Sequence, residues 1–230
     1  MDAFPAYFPL TGRTVVIVGG GEGAEAKARL FEGSPATVLR VGESEAAADP
    51  QTYAGATLAF VAVFDDALAA RAAAAARAAH VPVNVTDRPA LSDFFTPAVI
   101  DRGQVVAAIG TGGASPALAS LLRGDIEARV PEGAGRLAAL LGRMQEEVRG
   151  AVPELPRRRA FLRGVLSGPA ADAALAGDMA RAEALLRDAL AREHVGFGKF
   201  CRIDGRGPAE ALSLKAARIL GEAEIGRAHV

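Results

Sequence analysis

The sequence is poor in the cysteine and histidine that mark secreted and zinc-binding proteins, and it has no excess of basic residues. It has one cysteine, Cys201, which cannot form an intrachain disulfide and gives no sign of an oxidising compartment. Its 3 histidines are far apart and lie in no ligand spacing, so no built-in metal site is expected. Lysine plus arginine total 26 and aspartate plus glutamate 27, a net charge of -1. This balance gives no reason to expect a nucleic-acid partner.

Long hydrophobic runs are also missing. No stretch reaches the ~20 apolar residues that a membrane span needs, and the longest apolar runs are alanine-rich and carry arginines. The first ten residues hold Asp2 and two prolines (Pro5 and Pro9) but no basic residue, unlike a signal peptide. We therefore expect a cytoplasmic protein that does not contact a membrane.

The first hundred residues alternate short apolar runs with helical stretches. Strands separated by helices predict a parallel sheet with helices on its faces. The expected fold class is thus α/β, with a Rossmann-like sheet. The predicted strands are Thr14–Val18, Ala36–Val41, Leu58–Phe64, Pro82–Thr86 and Gln104–Ile109, and the predicted helices between them are Glu22–Glu32 and Asp65–Ala79.

After Ser115 the pattern becomes helical, broken by Gly-Pro and Val-Pro steps. This change predicts a small all-helical domain after the sheet. A short strand at Lys199–Ile203 and a helix at Glu210–Ala223 follow near the end. The helices predicted in between are Pro116–Arg129, Gly135–Arg149, Pro156–Leu166 and Ala170–Leu190.

A glycine-rich turn follows the first strand and opens the first helix. It contains G-x-G-x-x-A at Gly19, Gly21 and Ala24. The first glycine permits a tight turn, the second lets the backbone approach a pyrophosphate, and the small third residue lets helix and strand pack closely. The free N–H groups at the helix start then face the anion. This context favours dinucleotide binding over an ordinary turn.

The end of the second strand leaves the choice of dinucleotide open. An acidic residue is expected there for the ribose hydroxyls of NAD, and the nearest one is Glu43. Arg40 could instead favour the 2′-phosphate of NADP, and each residue could simply be exposed at a strand end.

A second strand–glycine–helix junction lies at Ile109–Pro116. Ser115 suits the N-cap of the following helix and Pro116 its first position. Thr111, Gly112 and Gly113 leave N–H groups that can bind carboxylates, so this turn is a candidate substrate site.

Asp87 follows the fourth predicted strand. Ligands of open parallel sheets bind beyond the carboxyl ends of the strands, where Asp87 could act as a general base. By position alone, a turn residue before Arg88-Pro89 is the favoured interpretation. Asp65 and Asp66 also follow a strand, and Asp66 is expected at a helix N-terminus.

Taken together these segments resemble a known family. The run Phe8–Leu30, the segment Asn84-Val85-Thr86-Asp87, Phe94-x-x-Pro97-Ala98, and IGTGGASPA from Ile109 to Ala117 are similar to the N-terminal half of siroheme synthase. They also resemble the free-standing precorrin-2 dehydrogenase/sirohydrochlorin ferrochelatases. The resemblance covers about residues 1–190, with the motifs in the family's order.

The resemblance implies NAD-dependent oxidation of precorrin-2 to sirohydrochlorin, followed by insertion of Fe²⁺ as a substrate to give siroheme, in a homodimer. It implies Asp87 as the catalytic residue, and no metal-ligand cluster. A dehydrogenase without chelatase activity and a non-catalytic NAD-binding module remain alternatives. The implied substrate-binding residues are Thr111, Gly112, Gly113 and Ser115, and the implied cofactor-binding residues are Gly19, Gly21, Glu22, Gly23, Ala24, Glu43, Ser44 and Asp65.

The chain departs from the family in two places and adds a tail. The stretch from Glu43 to Tyr53 is short and rich in alanine, and Phe64 replaces a small polar residue where the cofactor should pass. The tail resembles the start of the uroporphyrinogen-III methyltransferase domain, and we expect a relic without that activity. The expected domains are 1–101 for NAD binding, 102–145 for dimerisation, 146–190 as the helical domain and 191–230 as the relic.

Overall fold

The computed structural model describes residues 3–192, together with Ser213 and Ala216. These residues form two compact units. The first holds residues 3–98 and 109–120, and the second holds residues 99–108 and 121–192. The predicted strand Lys199–Ile203 and most of the predicted helix Glu210–Ala223 lie outside the described residues.

The first unit is built on a four-stranded parallel sheet in the order β2-β1-β3-β4. Val16 of β1 stands opposite Leu39 of β2 and Ala59 of β3, and Phe60 of β3 stands opposite Asn84 of β4. The elements in chain order are β1 Thr14–Gly19, α1 Gly21–Arg29, β2 Thr37–Val41, β3 Leu58–Ala62, α2 Asp66–Ala78 and β4 Val83–Val85.

Alternate residues of the central strands face two different cores. Val16, Val18, Ala59 and Val61 pack in one cluster with the alanine-rich face of α2. Val15, Ile17, Leu58 and Phe60 pack in a second cluster with Ala24 and Ala28 of α1. The two helices therefore cover opposite faces of the sheet, which requires strands that are apolar on both sides. The expected α/β, Rossmann-like fold is confirmed.

A strand forms where the fifth strand of the parallel sheet was predicted, but the predicted pairing of this strand is wrong. Residues Val105–Ile109 form strand β6, but it pairs with β5, Ala98–Arg102, in a separate two-stranded sheet. Only two residues, Gly103 and Gln104, connect them, a link that antiparallel strands can use and parallel strands cannot. The strand at Ala98–Arg102 was not predicted from the sequence.

The second unit is helical after its hairpin. Two helices predicted as continuous are each divided in two. The predicted helix Gly135–Arg149 is divided at Met144, and the predicted helix Ala170–Leu190 is divided at Gly177. Gly177 has a φ of 96°, a left-handed conformation that ends a helix and that glycine adopts without strain. The core of this second unit includes Leu140, Phe161 and Leu186. The helices are α3 Pro116–Glu127, which begins in the first unit, α4 Ala134–Arg143, α5 Gln145–Ala151, α6 Leu155–Leu166, α7 Pro169–Ala176 and α8 Met179–Ala191.

Candidate functional site

The carboxyl ends of β1 to β4 lie along one edge of the sheet, and four predicted site segments follow them. The strand order places these segments across the edge in the sequence Glu43, Gly19–Ala24, Phe64 and Asp87. The chain leaves β1 toward β2 on one side and returns to β3 on the other. This reversal creates the crevice in which open α/β sheets bind ligands.

Gly19 lies at this crevice so close to β3 that no side chain can be placed on it. Its φ is 115°, and a Cβ built on it would lie 1.9 Å from the carbonyl oxygen of Ala62 at the end of β3. No side chain fits there, so glycine is required for β1 and β3 to stay paired as the chain turns. Ala24 is fully buried, as close packing of α1 on the sheet demands.

The N-terminus of α1 is open to a ligand. Its N-cap is Gly20, and no side chain caps its free N–H groups. A Cβ on Gly20 or Gly21 would have no atom within 4 Å, so there is free space on the Cβ side of these two residues. Uncapped N–H groups, the helix dipole and free space together fit a pyrophosphate.

Arg40 at the end of β2 already has an anionic partner. Its guanidinium donates to both carboxylate oxygens of Glu25 on α1, at 3.3 and 2.5 Å. This hydrogen bond raises the pKa of Arg40 and lowers the pKa of Glu25. Glu43 and Ser44 are exposed just beyond. Ser44 precedes a short 3₁₀ helix but makes no side-chain cap to it.

The segment after β3 combines a free aromatic ring with a fixed backbone. Phe64 is 89% exposed. Arg88 donates to the carbonyls of Val63 and Phe64, at 3.1 and 3.0 Å, and pairs with Asp66. Asp65 caps α2 by accepting from the N–H of Leu68. The carboxylate of Asp65 thus has a structural role, and its predicted contact with a cofactor stays a prediction.

Asp87 stands in a strained turn at the end of β4. Its φ is 58°, a left-handed conformation that aspartate tolerates better than most residues. The N–H of Arg88 donates to Val85 at 3.2 Å to close the turn. Asp87 is exposed, so its carboxylate is available at the edge of the sheet. The catalytic role itself stays a prediction.

A polar network beside this turn was not foreseen from the sequence. Asn84 on β4 is 7% exposed, the one buried polar residue in the described part of the chain. Its amide donates to the carbonyl of Phe94 at 2.8 Å and accepts from Thr96 at 3.4 Å. Thr96 in turn accepts from Lys27 of α1 at 3.1 Å. An asparagine inside a strand pattern was the available clue.

The second glycine turn is shaped by Thr111 and Ser115. The Ser115 hydroxyl accepts from the N–H of Leu118 at 3.2 Å, which confirms it as the N-cap of α3. Thr111 accepts from the N–H of Ser115 and donates to its carbonyl, at 3.2 and 3.1 Å. A Cβ on Gly112 or Gly113 would have no atom within 4 Å. The turn is braced from inside and open outside, as binding of a carboxylate requires.

Comparison with known proteins agrees with this geometry. A family described as putative NAD(P)-binding matches residues 6–98, and the sirohaem synthase dimerisation region matches residues 133–190. Siroheme synthases of Pseudomonas putida F1 and Methylococcus capsulatus are 36% and 38% identical to this chain over alignments 247 positions long. These alignments cover 98% of this chain, and 53% and 52% of the two relatives. Nearly the whole chain is thus similar to siroheme synthase.

The chain spans about half the length of these siroheme synthases. The solved structure of SirC, precorrin-2 dehydrogenase, superposes with a TM-score of 0.61 at 19% identity, over 83% of this chain and 100% of SirC. This likeness concerns the fold. The match at residues 133–190 overlaps both the predicted dimerisation region, 102–145, and the predicted helical domain, 146–190. Those boundaries, and the predicted relic at 191–230, stay predictions.

Two features are absent from the described residues. No helix there has the length and apolar character to cross a membrane. No group of three or more histidine, cysteine, aspartate or glutamate side chains is arranged there to hold a metal ion.

Proposed function

We propose that this protein oxidises precorrin-2 to sirohydrochlorin with NAD. The observation that carries the proposal is the shared edge of the sheet. An uncapped helix N-terminus at Gly20–Gly21 and an exposed carboxylate at Asp87 follow strands of one sheet, with only β3 between β1 and β4. The similarity to siroheme synthase supplies the substrate class.

NAD rather than NADP is supported by the pairing of Arg40. Recognition of a 2′-phosphate needs a cation that is free to bind it. The carboxylate of Glu25 accepts from both terminal nitrogens of the Arg40 guanidinium, and its negative charge would repel a phosphate. Glu43, exposed beyond β2, is then available to accept hydrogen bonds from the ribose hydroxyls.

The reaction removes two hydrogens from the substrate. NAD, when bound, accepts one of them as hydride. The chain's own part is to hold the nucleotide at the N-terminus of α1, to position the substrate, and to accept the remaining proton, which we assign to Asp87. In the turn from Thr111 to Ser115, the backbone N–H groups of Gly112 and Gly113 suit the carboxylates that a tetrapyrrole such as precorrin-2 carries, whereas those of Ala114 and Ser115 donate within the turn.

Insertion of Fe²⁺ into sirohydrochlorin is the second activity we propose, with the metal as substrate. Asp87 is again the group that would take up protons, since two pyrrole N–H protons must leave as the metal enters. We also propose a homodimer. The match to the dimerisation region supports it, and so do Leu121, Leu122 and Ile126, exposed large apolar side chains on α3.

The test is the formation of NADH from NAD and precorrin-2, followed by absorbance, with NADP compared at the same concentration. Turnover with NAD and its loss in Asp87→Ala are expected, and Asp66→Ala serves as a control in the neighbouring turn. Binding of NAD without turnover would instead identify a non-catalytic nucleotide-binding module. Incubation of sirohydrochlorin with Fe²⁺ or Co²⁺ tests chelation. A rate of metal insertion no higher than the uncatalysed rate would show that the proposed chelatase activity is wrong.

A further inference from the structure

Phe64 is the most exposed large apolar side chain in the described residues, at 89%. A single apolar side chain on a surface is ordinary, and what distinguishes Phe64 is its place. It follows β3, the strand between β1, which leads into the uncapped helix, and β4, which leads to Asp87. The ring therefore stands at the crevice with nearly all of its surface open.

The end of β3 lies directly against the glycine-rich turn. A Cβ on Gly19 would lie 1.9 Å from the carbonyl oxygen of Ala62, and a Cβ on Gly23 would lie 3.5 Å from the Cβ of Ala62. Phe64 is only two residues further along the chain, a distance of at most about 7 Å between Cα atoms. Its ring therefore starts from a backbone close to the N-terminus of α1, the part of the crevice that suits a pyrophosphate.

The backbone on both sides of Phe64 is fixed. Arg88 donates to the carbonyl oxygens of Val63 and Phe64, at 3.1 and 3.0 Å, and Val63 is 5% exposed. The next residue, Asp65, caps α2 by accepting from the N–H of Leu68. Only the two side-chain torsions of Phe64 remain to be ordered when a ligand covers the ring, so binding there loses little conformational freedom.

The strand order indicates which part of a dinucleotide reaches Phe64. The ribose next to adenine is expected at the end of β2, where Glu43 lies, and the pyrophosphate at the N-terminus of α1 after β1. The remaining part, the nicotinamide riboside, then lies on the β3 side of β1. This part is the same in NAD and NADP, so its position does not depend on the choice between them.

We propose that the Phe64 ring packs against the nicotinamide ring of the bound dinucleotide and holds it beside the turn of Asp87. This inference rests on the proposed function, which requires a dinucleotide at this edge of the sheet. Arg88 ties the two segments together, because it donates to the carbonyl of Thr86 at 3.4 Å as well as to that of Phe64. The oxidised nicotinamide ring carries a positive charge, which the face of a phenyl ring attracts.

Calorimetry with two probes tests this contact in the full-length protein. ADP-ribose has every part of NAD except the nicotinamide, so the ratio of the two affinities isolates that ring. We expect Phe64→Ser to weaken the binding of NAD by about threefold to tenfold and to leave the binding of ADP-ribose unchanged. Phe4→Ser makes the same change at a side chain that is 81% exposed before β1, and as the control it should alter neither affinity. Equal losses for both probes, or no loss for NAD, would overturn the proposal.

A tryptophan in place of Phe64 gives a direct readout of the contact. The sequence has no tryptophan, so the fluorescence of Phe64→Trp reports this position alone. Oxidised nicotinamide quenches an indole on which it stacks, because the excited indole donates an electron to it. We expect saturating NAD to quench most of this fluorescence and ADP-ribose to quench little of it. Equal quenching by both probes would contradict the contact, and thermal melting verifies that each variant folds.

The two proposals fail separately. If the unaltered protein oxidises precorrin-2 with NAD but Phe64→Ser keeps the full preference for NAD over ADP-ribose, the function stands and the role of Phe64 is wrong. If the unaltered protein binds NAD without oxidising precorrin-2, the proposed function is wrong, while the two probes still decide the contact of Phe64. A rise in the KM for precorrin-2 alone in Phe64→Ser would place the ring against the substrate and overturn its contact with NAD.

Discussion

Tyr53 makes the stability of the protein sensitive to alkaline pH. Its side chain is fully buried, and its hydroxyl donates to the carbonyl of Ala47 at 2.7 Å. This contact closes the short segment after Glu43, where the sequence has few large apolar residues. The buried phenol is hard to ionise, because the phenolate would lose its hydration and repel the carbonyl oxygen. Burial accordingly raises the pKa of Tyr53 from 10.0 to about 12.

The magnitude follows from that shift. Between pH 10 and 12 the tyrosine of the unfolded chain loses its proton while the folded protein keeps it, so the unfolded state binds fewer protons and stability falls as pH rises. The contribution is fully present below pH 10 and is lost as pH rises through 12. A difference of about two units corresponds to about 3 kcal/mol. Tyr53→Phe removes this dependence and costs about 1 kcal/mol at neutral pH for the lost hydrogen bond.

The assay is urea unfolding at pH values from 7 to 12, followed by circular dichroism, for the unaltered protein and Tyr53→Phe. The unaltered protein should lose up to about 3 kcal/mol more than the variant. Burial lowers the pKa of Lys27, which gives stability the opposite pH dependence, but Lys27 is present in both proteins and its effect cancels. The sequence has no tryptophan and 2 tyrosines, so absorbance in a Tyr7→Phe background reports Tyr53 alone. Equal pH dependence in the two proteins would refute the reasoning.

Three further predictions concern the ligand sites. Gly19→Ala should abolish NAD binding, measured by calorimetry, and destabilise the fold by about 3 kcal/mol or more, because the new methyl group meets a backbone carbonyl; Gly23→Ala, whose new methyl group would lie 3.5 Å from the Cβ of Ala62, an ordinary contact, is the control for the effect on stability. Glu25→Gln should raise kcat/KM for NADP several-fold relative to NAD by freeing Arg40, and an unchanged ratio would exclude this pair from cofactor choice. Ser115→Ala should lower the free energy of unfolding by about 1 kcal/mol through the lost cap and raise the KM for precorrin-2, whereas Ser115→Thr should retain the cap.

Local patterns carried most of the fold prediction. The run Thr14–Val18, the glycines after it and the helix beginning at Gly21 were all predictable, because strand periodicity, turn glycines and helix starts depend on neighbouring residues. The same holds for Ser115 as the cap of α3. The breaks at Met144 and Gly177 were missed, since a continuous apolar pattern does not reveal where two short helices replace a long one.

The candidate site, like the fold, could be predicted from the sequence only in part. Sequence motifs placed Gly19, Asp87 and Ser115 at the ends of strands, which was enough to expect a ligand there. They left the roles of Arg40 and Glu43 open, and the pairing of Arg40 with Glu25 now favours NAD. They gave no sign that Lys27 reaches the segment around Thr96, because these residues are 69 positions apart.

By itself, the sequence determined the first four strands with the helices α1 and α2, the glycine turn and the α/β class, since each depends on residues that are close together in the chain. Only the tertiary structure decided which strands pair. Val105–Ile109 pairs with Ala98–Arg102 and lies outside the parallel sheet, because the two-residue link between these strands allows only a hairpin. The tertiary structure also decided which charges meet, since the partners of Lys27 and Arg40 come from other elements and are brought together by the packing of α1 on the sheet.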